Sequence, residues 1–354
     1  MKKIKVGIVG CGGIAKVCHI PAYLEMENVE VVATCDIIAD RASSAAEMTG
    51  AKYVFTDWND LISLSDLDMV DICTPNYLHA PIAIGAMLAG KHAFCEKPDS
   101  ITIDEVLEMK ATSEKTGKHL MVMRNNRFRE HSEYAKRFMD EGKCGDVYAG
   151  RCGYIRRRGI PGMGGWFTTK AQSGGGPLID LGVHIIDMAI WLMGNPKPVA
   201  VSGSVYTKFA DAGEVSDSEH SSFGDKVKGG TFDVEDLAIG MIRFDNGACL
   251  QIEFSWASNI EAEKYFVELR GTKAGIDWDG NGLMIYTEDN GVLCDIKPVL
   301  KTDYHGHAEN LQHFIDVLTK GAEPLFKPIE GVNMVKILTN IYESAKLGKE
   351  ISID

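Results

Sequence analysis

Several side chains in this sequence have the types and spacing needed to move a hydride and a proton together. Lys97 follows a short apolar run, and Asp180 and His184 lie four positions apart in a later apolar segment. Such a reaction requires an acid or base for the proton and a cation or hydrogen-bond donor to polarise the substrate oxygen. Lys97, Asp180 and His184 are therefore candidate catalytic residues.

Lys97 is positioned by the run from His92 to Cys95, which reads as a buried strand and leads into Glu96-Lys97-Pro98. Ligands of open α/β sheets bind outside the carboxyl ends of the strands. We therefore expect Lys97 near the reactive end of a cofactor. A solvated Glu96-Lys97 charge pair at the start of a loop is the alternative interpretation.

Asp180 and His184 lie in a predicted helix that opens at Gly174-Gly175-Gly176-Pro177 and ends at Gly194-Asn195-Pro196. Proline suits the first turn of a helix. Residues four apart share one helical face, so the carboxylate can orient the imidazole or hold a substrate hydroxyl. A buried histidine capped by an aspartate is the structural alternative.

A dinucleotide fingerprint lies near the start of the chain. The apolar run from Ile4 to Val9 leads into Gly10-Cys11-Gly12-Gly13-Ile14-Ala15, a GxGxxA pattern that precedes a helical segment. Glycines allow a pyrophosphate to approach the backbone, and the helix N-terminus attracts its charge. Glycines retained only for packing would give the same pattern. Asp36, which ends the second predicted strand about 20 residues on, favours the cofactor interpretation.

The residues around Asp36 favour NAD over NADP. A carboxylate at this position binds ribose hydroxyls and repels a 2′-phosphate, and Ile37 and Ile38 supply no cation to offset it. Arg41 is the exception, because its side chain could reach a phosphate or stack on adenine. NAD is the cofactor that the sequence predicts.

Alternating strands and helices position these groups in an α/β fold with an N-terminal Rossmann domain, residues 1–123. The predicted strands end in turns or polar clusters, as buried parallel strands do: Ile4 to Val9, Val29 to Cys35, Met69 to Cys73, His92 to Cys95 and His119 to Met123. Segments of helical period lie between them: Ile14 to Leu24, Ala39 to Met48, Leu78 to Leu88 and Ile103 to Thr116.

Residues 124–354 are predicted to form a second, α+β domain with a large, mostly antiparallel open sheet. Its long apolar segments alternate, and Asp245-Asn246-Gly247 and Asp289-Asn290-Gly291 suit hairpin turns. Helices are expected near Glu130 to Glu141, Ala308 to Leu318 and Gly331 to Leu347. The polar connection 210–233 is either a lid or a surface insertion.

Composition excludes several classes of protein. A net charge of −13 without a basic stripe argues against nucleic-acid binding. The nine cysteines form no CxxC pair and predict neither a disulfide framework nor a zinc knuckle. His305 and His307 do not suffice for a metal site, so no metal is predicted. Without a signal peptide or a membrane-spanning stretch, the chain is expected to be cytoplasmic.

Taken together, the motifs resemble the glucose-fructose oxidoreductase/inositol dehydrogenase (Gfo/Idh/MocA) family over essentially the whole chain. The segments that carry the resemblance are Gly10 to Ala15, Asp36, Thr74-Pro75-Asn76 with His79, Glu96-Lys97-Pro98, Asn125-Asn126-Arg127-Phe128, and Gly174-Gly175-Gly176 with Asp180, His184 and Asp187. Each is weak alone, but their order and context make an accidental match improbable.

The resemblance implies roles for individual residues. Thr74, Asn76 and His79 would line the cofactor, Glu96 and Lys97 would lie by the nicotinamide, and Asn125 would contact it. Lys97, Asp180 and His184 would be catalytic. The family also implies a homodimer or homotetramer packed through the open sheet. Before the candidate catalytic helix, Arg158 and Trp166 could bind a sugar, or could be a surface arginine and a core aromatic.

The leading functional interpretation is a dehydrogenase acting on a sugar, inositol or sugar derivative. Two alternatives remain. A glycoside-processing enzyme could oxidise one carbon transiently, eliminate the glycosidic bond and return the hydride. A non-catalytic NAD or sugar sensor would keep the fold, but it has no need for Lys97, Asp180 and His184 together.

Overall fold

The computed structural model describes residues 3–210, 223–280, 282–300 and 306–354. Within that range the chain forms two compact units. The first comprises residues 3–125 and 306–335, and the second comprises the described residues of 126–300 together with 336–354. Each unit is built around its own sheet.

The first unit contains a six-stranded parallel sheet with the order β3-β2-β1-β4-β5-β6. Its strands are β1 (Ile4–Val9), β2 (Val29–Cys35), β3 (Tyr53–Phe55), β4 (Met69–Ile72), β5 (His92–Cys95) and β6 (Leu120–Val122). Most of the strand residues are apolar and buried, as in parallel sheets covered by helices on both faces. The predicted Rossmann fold is confirmed, and β3 is the strand that sequence patterning missed.

Helices connect these strands. They are a five-residue π-helical turn (Ala15–His19), α1 (Ile20–Glu25), α2 (Ala39–Thr49), α3 (Trp58–Ile62), α4 (His79–Leu88) and α5 (Ile103–Thr116). Gly50 and Gly117 end α2 and α5 in the left-handed conformation, and the Thr102 hydroxyl caps α5 by accepting the Glu105 N–H. The helix predicted from Ile14 to Leu24 is thus a π-helical turn followed by a short α-helix.

The second unit contains a nine-stranded sheet with the order β14-β13-β12-β11-β7-β10-β9-β8-β15. Its strands are β7 (Val147–Ile155), β8 (Pro198–Tyr206), β9 (Leu237–Phe244), β10 (Cys249–Ser255), β11 (Lys264–Gly271), β12 (Ala274–Trp278), β13 (Leu283–Asp289), β14 (Val292–Ile296) and β15 (Ile351–Ser352). Every pair is antiparallel except β7 with β10. The predicted mostly antiparallel sheet is therefore confirmed.

Helices α6 (Glu130–Asp140), α7 (Lys170–Ser173) and α8 (Val183–Leu192) belong to the second unit. The run Lys170–Leu192 is long and apolar enough to cross a membrane, with a mean hydropathy of 1.3. However, 83% of its most apolar stretch is buried inside the protein, as in the core helix of a folded domain.

The two last helices are α9 (Gly306–Lys320) and α10 (Pro328–Leu347). The predicted boundary put everything after residue 123 in the second domain, whereas α9 belongs to the first unit. Leu311, Phe314 and Ile315 join the apolar core of the Rossmann sheet, and the Phe314 ring lies 5.4 Å from that of Phe94. Burial of this apolar face explains why α9 packs there.

Candidate functional site

The glycine-rich turn after β1 combines one constrained glycine with two open ones. Gly10 has φ +90°, and a Cβ there would lie 2.5 Å from the carbonyl oxygen of Cys73. Cβ atoms on Gly12 and Gly13 would meet no heavy atom of the described chain within 4 Å. The turn therefore needs Gly10 for its own shape, while Gly12 and Gly13 leave a cradle of bare backbone before a helix N-terminus. That cradle fits a dinucleotide pyrophosphate.

Asp36 connects the end of β2 to this turn. Its Oδ2 accepts the Cys11 N–H at 2.8 Å, and its Oδ1 accepts the Ile38 N–H at 2.9 Å. A carboxylate has about four acceptor sites, so both oxygens retain capacity for ribose hydroxyls. Arg41 lies in the first turn of α2, five positions after Asp36.

The segment after β4 contains the next predicted group, Thr74, Asn76 and His79. Asn76 is buried, and the buried Thr74 hydroxyl makes no hydrogen bond to another described residue. His79 is fully buried, with Nδ1 2.6 Å from the Pro98 carbonyl oxygen and Nε2 2.9 Å from that of Thr74. Burial lowers the pKa of His79 despite these two contacts. His79 thus links the Thr74 segment to the residue after Lys97.

Lys97 follows β5 in a constrained backbone. The preceding Glu96 is buried, and its Oε2 accepts the Lys97 backbone N–H at 3.1 Å. The Lys97 side chain itself is partly exposed. Glu96 and Lys97 are therefore not a simple solvated charge pair, since the carboxylate is withdrawn from water and holds the backbone.

Asp180 and His184 lie in a largely buried helical segment of the second unit. The five-residue π-helical turn Leu178–Gly182 leads directly into α8. Between Gly175 and Ala189 every residue is buried except Asp180 and His184, which are both partly exposed. Two polar side chains thus share the accessible face of a segment that is otherwise core.

The three glycines before this segment have separate causes. Gly174 has φ +83° and ends α7, while Cβ atoms on Gly175 and Gly176 would lie 2.0 Å from the Tyr342 hydroxyl and the Glu235 carbonyl oxygen. The buried Glu235 carboxylate accepts the N–H groups of Gly176 and Leu178 at 2.9 and 3.2 Å, and the Tyr342 hydroxyl donates to it at 2.8 Å. Glu235 therefore caps the helix that carries Asp180 and His184.

Burial raises the pKa of Glu235, although the backbone and Tyr342 hydrogen bonds oppose the shift. The carboxylate is thus held in place by hydrogen bonds in surroundings that exclude water. Its three donors fix the approach of the chain into the π-helical turn.

A tryptophan holds Asp180. Trp256, which is fully buried just after β10, donates its indole N–H to Asp180 Oδ2 at 2.9 Å. Further along the same helix, Asp187 accepts two hydrogen bonds from the buried Arg127 guanidinium, at 2.6 and 2.9 Å. Arg127 belongs to the 3-10 turn Asn125–Phe128, whose first residue is the predicted cofactor contact Asn125.

The predicted sugar contacts have different surroundings. The Arg158 guanidinium donates to the Ser258 carbonyl oxygen at 2.7 Å and to Asn259 Oδ1 at 2.6 Å, and lies 4.6 Å from the Phe209 ring. Trp166 is partly exposed and stacks on Phe167 with a centroid separation of 3.8 Å. Trp166 thus offers a supported aromatic face, whereas Arg158 makes several contacts within its own unit.

The connection 210–233 lies partly outside the described residues, as does His305. In its described part, Val227 N–H donates to the Met163 carbonyl oxygen at 2.9 Å, and the Thr168 hydroxyl donates to that of Thr231 at 2.7 Å. This part packs beside the segment that contains Trp166. The alternatives of a lid and a surface insertion both stay open.

Two family models match the chain in sequence order. The model for an oxidoreductase family with an NAD-binding Rossmann fold matches residues 4–124, and the GFO/IDH/MocA C-terminal domain matches residues 132–277. D-glucoside 3-dehydrogenase of Escherichia coli (strain K12) is 30% identical over 351 residues, which cover 99% of this chain and 97% of that protein. The chain belongs to the Gfo/Idh/MocA family.

Other relatives in the Gfo/Idh/MocA family also carry names of sugar dehydrogenases. Levoglucosan dehydrogenase of Pseudarthrobacter phenanthrenivorans is 32% identical over 288 residues, covering 78% of this chain and 73% of the relative. A solved levoglucosan dehydrogenase in complex with NADH and L-sorbose has a TM-score of 0.86 at 25% identity over both whole chains. The chain is therefore an oxidoreductase with an NAD-binding Rossmann domain, of a family whose named relatives include several sugar dehydrogenases.

Sequence reasoning missed several residues that support the Gfo/Idh/MocA site. Trp256, Glu235 and Tyr342 act on the helix of Asp180 through hydrogen bonds that span 57 or more positions of the sequence. His19 and Asp71 form a buried cluster with Glu96. A detectable signal was present only for Asp71, a charged residue inside the apolar run of β4.

Proposed function

We propose that the protein is an NAD-dependent dehydrogenase that oxidises a secondary hydroxyl of a D-glucoside or a closely related pyranoside, at carbon 3. The full-length similarity to D-glucoside 3-dehydrogenase supports this substrate class. The partly exposed Trp166 ring, supported by Phe167, suits stacking against a pyranose.

One observation about the second unit carries the proposal. Asp180 and His184 are the two accessible residues between Gly175 and Ala189, and both are polar. An acid and an imidazole that are accessible together on one face of an otherwise buried helical segment can both reach the same substrate hydroxyl. Their accessible positions are explained if they act on a substrate hydroxyl.

Each polar residue then has a role in the reaction. His184 accepts the proton of the substrate hydroxyl, Lys97 stabilises the negative charge that develops on the oxygen, and Asp180 orients the substrate and the imidazole. NAD, when bound, supplies the acceptor for the hydride that leaves the same carbon. The balanced reaction converts the alcohol and NAD⁺ into a ketone, NADH and one proton.

The cofactor proposal rests on residues of the first unit. Gly12 and Gly13 would leave room for the pyrophosphate, and Asp36 would bind the ribose hydroxyls and disfavour a 2′-phosphate. By family resemblance, Thr74, Asn76 and Asn125 complete the cofactor contacts. His79, the fourth residue that the resemblance implies, is fully buried and contacts the backbone carbonyls of Thr74 and Pro98, so its role is to support the Thr74 segment.

The test measures NADH absorbance after the purified protein and NAD are mixed with each member of a panel of candidate substrates. The panel contains methyl glucosides, levoglucosan, free pyranoses, inositols and sugar nucleotides. We expect NADH with the glucosides, and reduction of the product with borodeuteride should place deuterium at carbon 3. Deuterium at another carbon would refute the proposed position, and NADH from inositols alone would refute the substrate class.

Glycoside cleavage without net NADH would instead favour the enzyme that oxidises its substrate transiently. Silence towards every substrate, combined with measurable NAD binding, would favour the sensor. Both results would overturn the proposed dehydrogenase.

A further inference from the structure

A buried histidine lies between two carboxylates in the first unit. The His19 side chain is fully buried at the end of the π-helical turn that follows the glycine cradle. Its Nδ1 lies 2.8 Å from Asp71 Oδ2, and its Nε2 lies 2.9 Å from Glu96 Oε1. Both ring nitrogens therefore face acceptors.

Two carboxylates facing one imidazole favour its protonated form, because their negative charge adds to the demand for two donors. A neutral imidazole has one donor and one acceptor nitrogen, whereas the two carboxylates need two donors. Burial alone lowers the pKa of His19, but the charge and hydrogen bond of Asp71, with Cys73, raise that pKa well above its usual value. Burial likewise raises the pKa of Glu96, but its hydrogen bond with His19 lowers it well below the usual range. The favoured form of the cluster has a protonated His19 ring that donates to Asp71 and to Glu96.

The cluster has the composition of a metal site, but its spacing is that of a hydrogen bond. One potential ligand atom each from His19, Asp71 and Cys73 lies within 4.8 Å of the others. Two ligands in a tetrahedral zinc site are about 3.3 Å apart, whereas Nδ1 and Oδ2 are 2.8 Å apart here. A shared proton, rather than a metal ion, accounts for that contact.

The Glu96 carboxylate links His19 to the backbone of Lys97. While its Oε1 contacts His19, its Oε2 accepts the Lys97 backbone N–H at 3.1 Å. On the other side of Lys97, the Pro98 carbonyl oxygen lies 2.6 Å from His79 Nδ1. The backbone around Lys97 is therefore held on one side by His19, through Glu96, and on the other side by His79, and both histidines are fully buried.

We propose that His19 is a positioning residue that, through Glu96, fixes the backbone of Lys97. His19 is also the last residue of the π-helical turn that follows Gly12 and Gly13. Through Glu96 it therefore connects the proposed pyrophosphate cradle to Lys97. The catalytic part of this inference rests on the proposed function, in which Lys97 stabilises the substrate oxygen. Misplacement of a catalytic group by about 1 Å can lower turnover 100-fold.

The central variant is His19→Gln, which removes the imidazolium while keeping a polar side chain. His92→Gln is the matched control. His92 is the first residue of β5, whereas Glu96 follows the last, and the His92 ring accepts the His119 N–H at that far end of the strand. We expect His19→Gln to lower kcat about 10- to 100-fold, with KM and the NAD dissociation constant changed less than threefold. His92→Gln should change kcat less than twofold.

Amide hydrogen exchange provides a readout that does not depend on activity. The Lys97 amide should be protected in the wild-type protein, and its exchange should accelerate at least tenfold in His19→Gln but not in His92→Gln. A Lys97 amide that exchanges in the wild-type protein at the rate of an unstructured peptide would overturn the proposal, even if every variant failed to fold. Stoichiometric metal in the purified protein would also overturn it.

A double-mutant cycle tests whether His19 acts through Glu96. If it does, His19→Gln combined with Glu96→Gln should be about as slow as the slower single variant. If the two substitutions acted independently, their fold-reductions in kcat would multiply in the double variant. That result would overturn the proposed action of His19 through Glu96. Loss of activity that merely follows the folded fraction, measured by thermal unfolding, would also count against positioning.

The proposed function and this inference can fail separately. Suppose that none of the substrates in the panel gives NADH with the wild-type protein, but amide exchange of Lys97 still accelerates in His19→Gln. The dehydrogenase proposal then fails, and the hydrogen-bonded link from His19 to Lys97 stands. If NADH forms normally and His19→Gln alters neither kcat nor exchange, the inference fails and the dehydrogenase stands.

Discussion

The indole nitrogen of Trp256 donates a hydrogen bond of 2.9 Å to Oδ2 of Asp180. Trp256 is fully buried, whereas Asp180 is partly exposed, so the core side chain fixes the direction of the accessible one. A hydrogen bond to a charged group contributes about 1.5–3 kcal/mol. This contact restricts the carboxylate to one orientation towards the face it shares with His184.

Trp256→Phe should therefore lower kcat about tenfold or more, because Asp180 loses the donor that orients it. Trp278→Phe is a matched control, since Trp278 is equally buried and donates to the Ser132 hydroxyl at 3.0 Å. Both variants should lower the melting temperature, but only Trp256→Phe should lower the turnover of the folded protein. Equal turnover in the two variants would refute the orienting role.

The glycine-rich turn predicts opposite phenotypes for neighbouring glycines. Gly10→Ala places a Cβ 2.5 Å from the Cys73 carbonyl oxygen at φ +90°, so it should destabilise the fold by about 2 kcal/mol or more. Gly12→Ala meets open space and should leave the melting temperature of the unliganded protein nearly unchanged. It should weaken NAD binding at least tenfold, because the methyl group occupies the cradle.

Thermal unfolding without cofactor and fluorescence titration with NADH measure these two effects. Tight NADH binding by a folded Gly12→Ala variant would show that the pyrophosphate does not lie in the cradle.

Asp36 should determine the choice between NAD and NADP. Asp36→Ser removes the charge that opposes a 2′-phosphate, so the ratio of kcat/KM for NAD over NADP should fall about 10- to 100-fold. Asp40→Asn, which removes a nearby charge in the first turn of α2, should change that ratio little. The ratio is measured from initial rates with each cofactor, and a ratio unaffected by Asp36→Ser would contradict the proposed ribose contact.

Lys97→Met should lower kcat by about 1,000-fold, since the developing charge on the substrate oxygen would lose its cation. NAD binding should change less than threefold, because the proposed pyrophosphate and ribose contacts remain. Lys110→Met, which removes a lysine paired with Glu114 on the surface of α5, is the control. Turnover preserved in Lys97→Met would remove the lysine from the mechanism.

Sequence patterning located elements whose determinants are local. The strand, turn and helix around Gly10 form a continuous pattern, and the spacing of Asp180 and His184 was enough to place them on one face. The sequence did not predict the π-helical turns. Each is only five residues long, and over so short a segment its spacing of apolar residues is the same as that of an ordinary α-helix. Chain order likewise does not reveal which of two cores α9 covers.

The supporting contacts of the site were harder to predict, because each joins residues far apart in the sequence. His19 and Asp71 are 52 positions apart, and Asp180 and Trp256 are 76 positions apart. A buried polar residue indicates that a partner exists, but one sequence does not identify it. Asp71, inside an apolar strand, shows what kind of signal was available.

The protonated His19 should give stability a distinctive dependence on pH. Its folded-state pKa lies above the ordinary value of 6.5, so its stabilisation is fully present below about pH 6.5 and is lost as pH rises through the folded-state pKa. The slope between those limits is about 1.4 kcal/mol per pH unit. The groups around the ring are Asp71 on β4, Cys73 just after β4, Tyr23 on α1, Glu96 after β5 and His307 on α9.

Most of these neighbours titrate outside the window from pH 5.5 to 9. Burial raises the pKa values of Tyr23 and Cys73, and the lowered pKa of Glu96 confines its effect to pH below about 4.5. The melting-temperature advantage of the wild-type protein over His19→Gln should therefore be greatest near pH 6 and shrink towards pH 9.

The His92→Gln control should show the opposite slope. Burial lowers the pKa of His92 to about 4, so the unfolded state takes up its proton first and wild-type stability falls as pH drops below 6.5. Thermal unfolding of the three proteins between pH 5.5 and 9 measures both slopes. A difference between wild type and His19→Gln that stays constant across this range would show that folding does not raise the pKa of His19, and a difference that falls below pH 6.5 would show that the folded ring is neutral.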